Sequence, residues 1–181
     1  MLSFLKYLFQ LIISPTPGWE DISHEGADAK RLATEGLYPL LGGSAISAFV
    51  TYFYNEVELS VLIQKAIITF VQYFITYFIA IFLFSMFLSK FIDGELNEKR
   101  NTTFITYNIA ILAIIKIISN CIPVEISLIQ FLPIFVAIVI WKGTKYMAVN
   151  KNKLGQFMLL SIGAIIVPPY LLEGLFNLIL P

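Results

Sequence analysis

Residues 66–89 read AIITFVQYFITYFIAIFLFSMFLS, a run without a single charged side chain. Roughly 20 mostly apolar residues in a helix are needed to cross the hydrocarbon core of a bilayer, so this run is long enough to span one. Its aromatic residues, Phe70, Tyr73, Phe74, Tyr77 and Phe78 among them, recur at spacings of three and four and share a stripe of the helix. Such rings face lipid or neighbouring helices. The apolar character reaches back through residues 59–63, so the helix is expected to tilt or to start early.

Working outward, four further stretches have similar length and composition: residues 36–54, 103–122, 126–147 and 157–180. The whole chain is 58% apolar and 13% charged over 181 residues. Soluble domains carry about a quarter charged residues, and a chain this short could not hide so much apolar surface from water. The expected fold class is therefore all-α, an integral membrane bundle of five transmembrane helices (residues 36–181) behind a cytoplasmic or interfacial segment (residues 1–35) with a short in-plane helix.

The basic residues sort themselves around these stretches. Lys6, Lys30 and Arg31 precede the first, Lys90, Lys99 and Arg100 follow the second, and Lys142, Lys145, Lys151 and Lys153 follow the fourth. With five crossings all ten share one side; Lys65 alone falls in a loop on the other, and Lys116 lies inside a span. Short cytoplasmic loops retain Lys and Arg, which places the N-terminus in the cytoplasm and the C-terminus outside.

Residues 1–13 are apolar apart from Lys6 and Gln10, yet too short to cross. An in-plane or re-entrant helix fits them; a signal peptide is the competing reading, but a basic leading region and a small-residue cleavage site are missing. Pro15, Pro17 and Gly18 then break the helix, and Trp19 suits the headgroup level where indole rings collect. In the polar run that follows, Glu20, His24 and Asp28 share one helical face, and Asp21 and Glu25 the next. This cluster is either a divalent-cation site of carboxylates and imidazole or a solvated acidic face.

The first span opens at Tyr38-Pro39, and its Gly42, Gly43, Ser44, Ala45, Ser47 and Ala48 are small enough to admit a close neighbouring helix, with self-association as one outcome. Residues 91–100 are polar, with Gly94 supplying a turn.

Two features inside the spans bear on chemistry. Lys116 lies seven residues before Pro123, about 10 Å below the outer helix end, and Glu173 sits at matching depth in the last span. An ionisable group at that depth is a functional candidate whose partner must be named. The choice is between a Lys116–Glu173 pair lining a polar cavity and two side chains that snorkel separately to the interface. Pro168-Pro169 interrupts the last span and leaves carbonyls near Ala164 and Ile165 without amide donors; transporters use broken helices in this way, although plain kinks are commoner.

Catalytic motifs are absent: there is one histidine, and neither a nucleophile elbow, a zinc-protease helix nor a phosphate loop. Cys121 is the only cysteine, which excludes an internal disulfide and a cysteine metal cage. A formal net charge of zero gives no reason to expect nucleic acid as a partner. The chain is thus expected to be no enzyme and to need no cofactor.

Ser14-Pro15-Thr16-Pro17-Gly18-Trp19-Glu20-Asp21-Ile22, the five spans, the Tyr107 region and the Trp141-Lys142-Gly143 exit of the fourth span together resemble the Yip1 domain family, in its short bacterial form. The chain departs from the family pattern in having Asp93-Gly94-Glu95 where many members carry a glycine pair, and in lacking a proline after Tyr107. The resemblance implies an integral protein of the bacterial inner membrane without an assigned activity; eukaryotic relatives are tied to vesicle traffic, Rab-type GTPases and membrane shaping.

Two functions follow as expectations. The first is a membrane scaffold or interaction protein whose cytoplasmic face (Trp19, Glu20, His24, Asp93, Lys142, Lys145, Lys151 and Lys153) meets lipids or a protein partner. The second is a small transporter or lipid-translocating protein built on Lys116, Glu173, Pro168 and Pro169. An enzymatic third would need a metal or substrate at the Glu20, Asp21, His24, Glu25 cluster.

Overall fold

The computed structural model describes residues 2–26, 28–55, 57–123 and 127–179. They form helices and turns, with a single isolated antiparallel bridge between Ile92 and Val149. In chain order the helices are α1 (Leu2–Ile13), α2 (Pro15–Glu25), α3 (Ala29–Phe53), α4 (Leu59–Lys90), α5 (Glu98–Cys121), α6 (Ser127–Lys142) and α7 (Lys151–Ile179). By length and composition, four of them among the described residues can cross a membrane: α3, α4, α5 and α7.

Five spans were expected. The difference is the fourth, at residues 126–147, where the helix runs only from Ser127 to Lys142. Gly143 to Ala148 form successive turns instead, closed by hydrogen bonds such as Met147 N to Gly143 O at 3.0 Å. Ile126 lies outside the described residues. In the second span the early start is present: α4 is 32 residues long and begins at Leu59.

The bundle is organised around α5. Every residue from Thr103 to Ala113 is buried, Asn108 and Thr106 included, because α3, α4, α6 and α7 all pack on it. Membrane helices gain little by burying apolar surface against one another, and the polar side chains at the centre are partly satisfied by carbonyls of their own helices, with Asn108 Oδ1 left without a hydrogen-bond partner among the described residues. Asn108 Nδ2 donates to the Phe104 carbonyl at 2.8 Å and Thr76 Oγ1 to that of Gln72 at 2.7 Å. At the far end Asn120 Nδ2 donates to Ser47 Oγ at 2.9 Å, tying α5 to α3.

The small residues of α3 divide differently from expectation. Ser44, Ser47 and Ala48 are buried, while a Cβ added at Gly42 or Gly43 would meet nothing within 4 Å. The close approach lies nearly two turns earlier, at Gly36, where a Cβ would come within 2.5 Å of the Phe4 ring of α1. Gly36 belongs to a widened turn, Ala33–Leu37, which ends where Tyr38 N donates to the Ala33 carbonyl.

The last span carries the same device. Across Ile162–Ile166 the helix widens, and Val167 N donates to the Ile162 carbonyl five residues back. Helix α7 therefore continues through Pro168 and Pro169, both buried, rather than breaking. An inserted wide turn accommodates prolines that lack the amide for the ordinary ladder.

Candidate functional site

Three segments far apart in sequence meet at one end of the bundle. Asp93 N donates to the Ala148 carbonyl at 2.8 Å, Asn150 N to that of Phe91 at 2.9 Å, and Asn150 Nδ2 to Asp93 Oδ1 at 2.8 Å, pairing the loop after α4 with the loop after α6. Lys153 Nζ reaches the Lys90 carbonyl at 2.7 Å. The N-terminal segment joins through Lys145 Nζ to Glu20 Oε1 at 3.3 Å and through a hydrogen bond from Lys99 Nζ to the Gly26 carbonyl.

Trp19 is the hub of this end. It is 2% exposed, its Nε1 donates to the Val139 carbonyl at 3.0 Å, and its ring stacks on Phe104 and Tyr146 at centroid distances of 5.2 and 5.0 Å. The indole therefore lies inside the protein rather than on its outward surface, contrary to expectation. It rests against Gly143, where a Cβ would stand 2.6 Å from Phe104 Cε2 and 2.9 Å from Trp19. A side chain on residue 143 would push α6 away from α2.

The acidic run is also shorter than its spacing predicted. Helix α2 stops at Glu25 because Gly26 turns left-handed at φ +60, so Asp28 no longer follows Glu20 and His24 on one face. Asp28 instead accepts a hydrogen bond from Lys30 N and caps the start of α3. Asp21 accepts from Gln10 Nε2 and Glu20 pairs with Lys145. Among the described residues no three of His, Cys, Asp and Glu come together to hold a metal ion. His24 is exposed at the end of α2.

Of the remaining expected residues, Asp93, Lys142, Lys145, Lys151 and Lys153 are all exposed at this end, with the Lys142 ammonium 4.5 Å from the centre of the Trp141 ring. Between α2, the start of α5 and the turn after α6 lies a cavity of about 450 Å³. Its aromatic wall is Trp19, Tyr107 and Tyr146; its charged rim is Lys99, Arg100, Lys142 and Lys145 against Glu20 and Glu25. Arg100 Nε is buried without a hydrogen-bond partner. Burial pushes the Tyr146 phenol up to about 12, with a hydrogen bond from Thr103 and the nearby Arg100 charge acting in the opposite direction.

A second site lies toward the other end. Lys116 Nζ and Glu173 Oε1 are 2.7 Å apart, joining α5 to α7, with side chains 22% and 34% exposed. Of the two sequence readings the paired one is realised. The pair lines a cavity of about 330 Å³ together with Tyr73, Ser119, Pro169 and Tyr170.

Sequence reasoning missed the basic cavity. Lys99 and Arg100 read as solvated loop charges because nothing local signals that they line one cavity with Trp19, about 80 residues away in sequence. Comparison with protein-family models, with curated proteins and with solved structures finds no match to this chain.

Proposed function

We propose that the chain is a non-enzymatic integral membrane protein of the Yip1-like type. In this reading it crosses five times, from a cytoplasmic N-terminus to an outer C-terminus, and its lysine-rich end engages anionic lipid headgroups at the cytoplasmic surface. The single observation that supports it most is the assembly of the N-terminal segment and the loops after α4 and α6 into one end. Exposed Lys142, Lys145, Lys151 and Lys153 all belong to that end, and each lysine near an anionic surface contributes ~1 kcal/mol.

The fifth crossing is assigned to α6. It starts six residues after α5 ends, and its own end lies beside Phe104 at the start of α5, so it runs back along α5. Its 16 residues extend about 24 Å, close to the thickness of a hydrocarbon core. A bacterial inner membrane is the setting that the resemblance implies.

The test is lipid selectivity in reconstituted membranes. Spin-labelled phosphatidylglycerol should be enriched at the protein over phosphatidylcholine at low salt, with the preference lost at high salt and reduced by Lys151→Glu with Lys153→Glu. Selectivity that is absent, or indifferent to salt and to these charges, would sink the reading.

A transporter is the second reading, supported by the Lys116–Glu173 pair and its cavity. It requires solute or proton flux in proteoliposomes that disappears in Glu173→Gln.

A further inference from the structure

The cavity at the lysine-rich end has more cationic capacity than its internal pairings consume. Four basic side chains face two carboxylates around it, and only Lys145, against Glu20, is in an ion pair among the described residues. Lys99 spends a hydrogen bond on the Gly26 carbonyl, and Lys142 lies over the Trp141 ring. Arg100 is the outlier. Its backbone N is satisfied by Asn97 Oδ1 at 3.0 Å, but its Nε is buried with no acceptor. A buried donor left unmade costs free energy, and on a guanidinium the cost is larger because the group is charged.

The chemistry of the missing acceptor follows from what surrounds it. A guanidinium flanked by lysines matches an oxyanion that takes two parallel N–H bonds, and phosphate offers such oxygens with enough charge to offset several cations. About 450 Å³ is more than a bare ion needs and is suited to a phosphate carrying an organic group, which Trp19, Tyr107 and Tyr146 would face. Depth points the same way: Lys142, on the rim of the cavity, and half-exposed Trp141 form the last turn of α6, and tryptophan collects at the headgroup layer.

We propose that this cavity binds a phosphate group, held by Arg100 with Lys99 and Lys142, supplied by the headgroup of an anionic phospholipid. The proposal rests on the lipid-facing reading above and names its site. A phosphate ester from solution offers the same chemistry, so the experiment carries an arm for each source.

Full-length protein is equilibrated in nanodiscs with equal phosphatidylglycerol and phosphatidylcholine, released into mild detergent and weighed by native mass spectrometry. In parallel, glycerol 1-phosphate and inorganic phosphate are tested for thermal stabilisation of the lipid-stripped protein. One phosphatidylglycerol should remain per chain, with occupancy lowered tenfold or more, as an order of magnitude, in Arg100→Gln. Exposed Lys142→Gln, which touches no core, should lower it roughly fivefold and keeps the test valid if Arg100→Gln folds poorly. Stabilisation by glycerol 1-phosphate that Arg100→Gln abolishes, without lipid retention, would uphold the phosphate site and overturn its lipid source. Retention indifferent to headgroup and to both variants, with no stabilisation by either phosphate, would overturn the site itself. Annular selectivity for phosphatidylglycerol that persists in that last case would leave the general lipid-facing reading standing.

Discussion

Lys116 and Glu173 meet at 2.7 Å between α5 and α7, each on a helix long enough to cross the membrane, and each side chain is mostly enclosed by the bundle. A charge at this depth is tolerated because its counter-charge is fixed beside it. The pair thus couples the central helix to the last one.

Removing one partner should cost more than removing both. Lys116→Met leaves Glu173 uncompensated and is expected to lower stability by about 2 kcal/mol, less than for a fully enclosed pair because both side chains retain some exposure. Lys116→Met with Glu173→Gln should recover most of that loss. A thermal-unfolding double-mutant cycle in detergent measures the coupling, and simple additivity would mean that the contact contributes nothing.

Gly143→Ala should destabilise by roughly 1–3 kcal/mol, since the added methyl would stand within 2.6–2.9 Å of Phe104 and Trp19. Gly163→Ala, where a Cβ meets nothing within 4 Å, is the matched control and should be neutral or slightly stabilising. Equal melting temperatures for the two variants would contradict the packing of Trp19 against this turn.

Trp19→Ala removes a fully enclosed indole together with its bond to the Val139 carbonyl, and should cost about 3–5 kcal/mol. Trp19→Phe keeps a ring between Phe104 and Tyr146 and should cost less. If Trp19 were a lipid-facing anchor, both changes would leave the melting temperature in detergent nearly untouched.

Tyr146 gives the charged end a defined alkaline limit. Its phenol is raised from the usual value near 10 to about 12, so the folded state holds a proton that the unfolded chain releases between those values. The stabilisation is complete below pH 10 and is lost as pH rises through 12. Wild type should therefore lose stability relative to Tyr146→Phe across this window, and parallel stability curves would contradict the burial of the hydroxyl.

How much of this was written in the sequence depends on how far each signal reaches. Predominantly apolar runs of spanning length define α4 and α5 because span length is a local property, and Lys116 could be matched to Glu173 because depth follows from counting residues along a helix. Charge sorting likewise foretold which segments would share an end. Trp19 was misplaced because an indole at the proline-led start of a helix has the same local sequence whether its neighbour is a headgroup or Gly143. Pro168-Pro169 read as a break because the widened turn that absorbs them, at Ile162–Ile166, has no compositional mark. The α5 polar residues Asn101, Thr106 and Asn108 gave no periodic signal either, since α5 is enclosed on all sides rather than along one stripe. The acidic face failed at a legible place: Gly26 was a stop signal within the run.

The sidedness of the lysine-rich end is tested most directly with the protein's own cysteine. Cys121, exposed at the end of α5 remote from Lys99 and Arg100, should react with a membrane-impermeant maleimide in sealed right-side-out vesicles. In a Cys121→Ser background, a cysteine replacing exposed Lys145 should stay protected until the membrane is opened with detergent. The reverse pattern, or labelling of both positions from outside, would contradict a lysine-rich face on the cytoplasmic side.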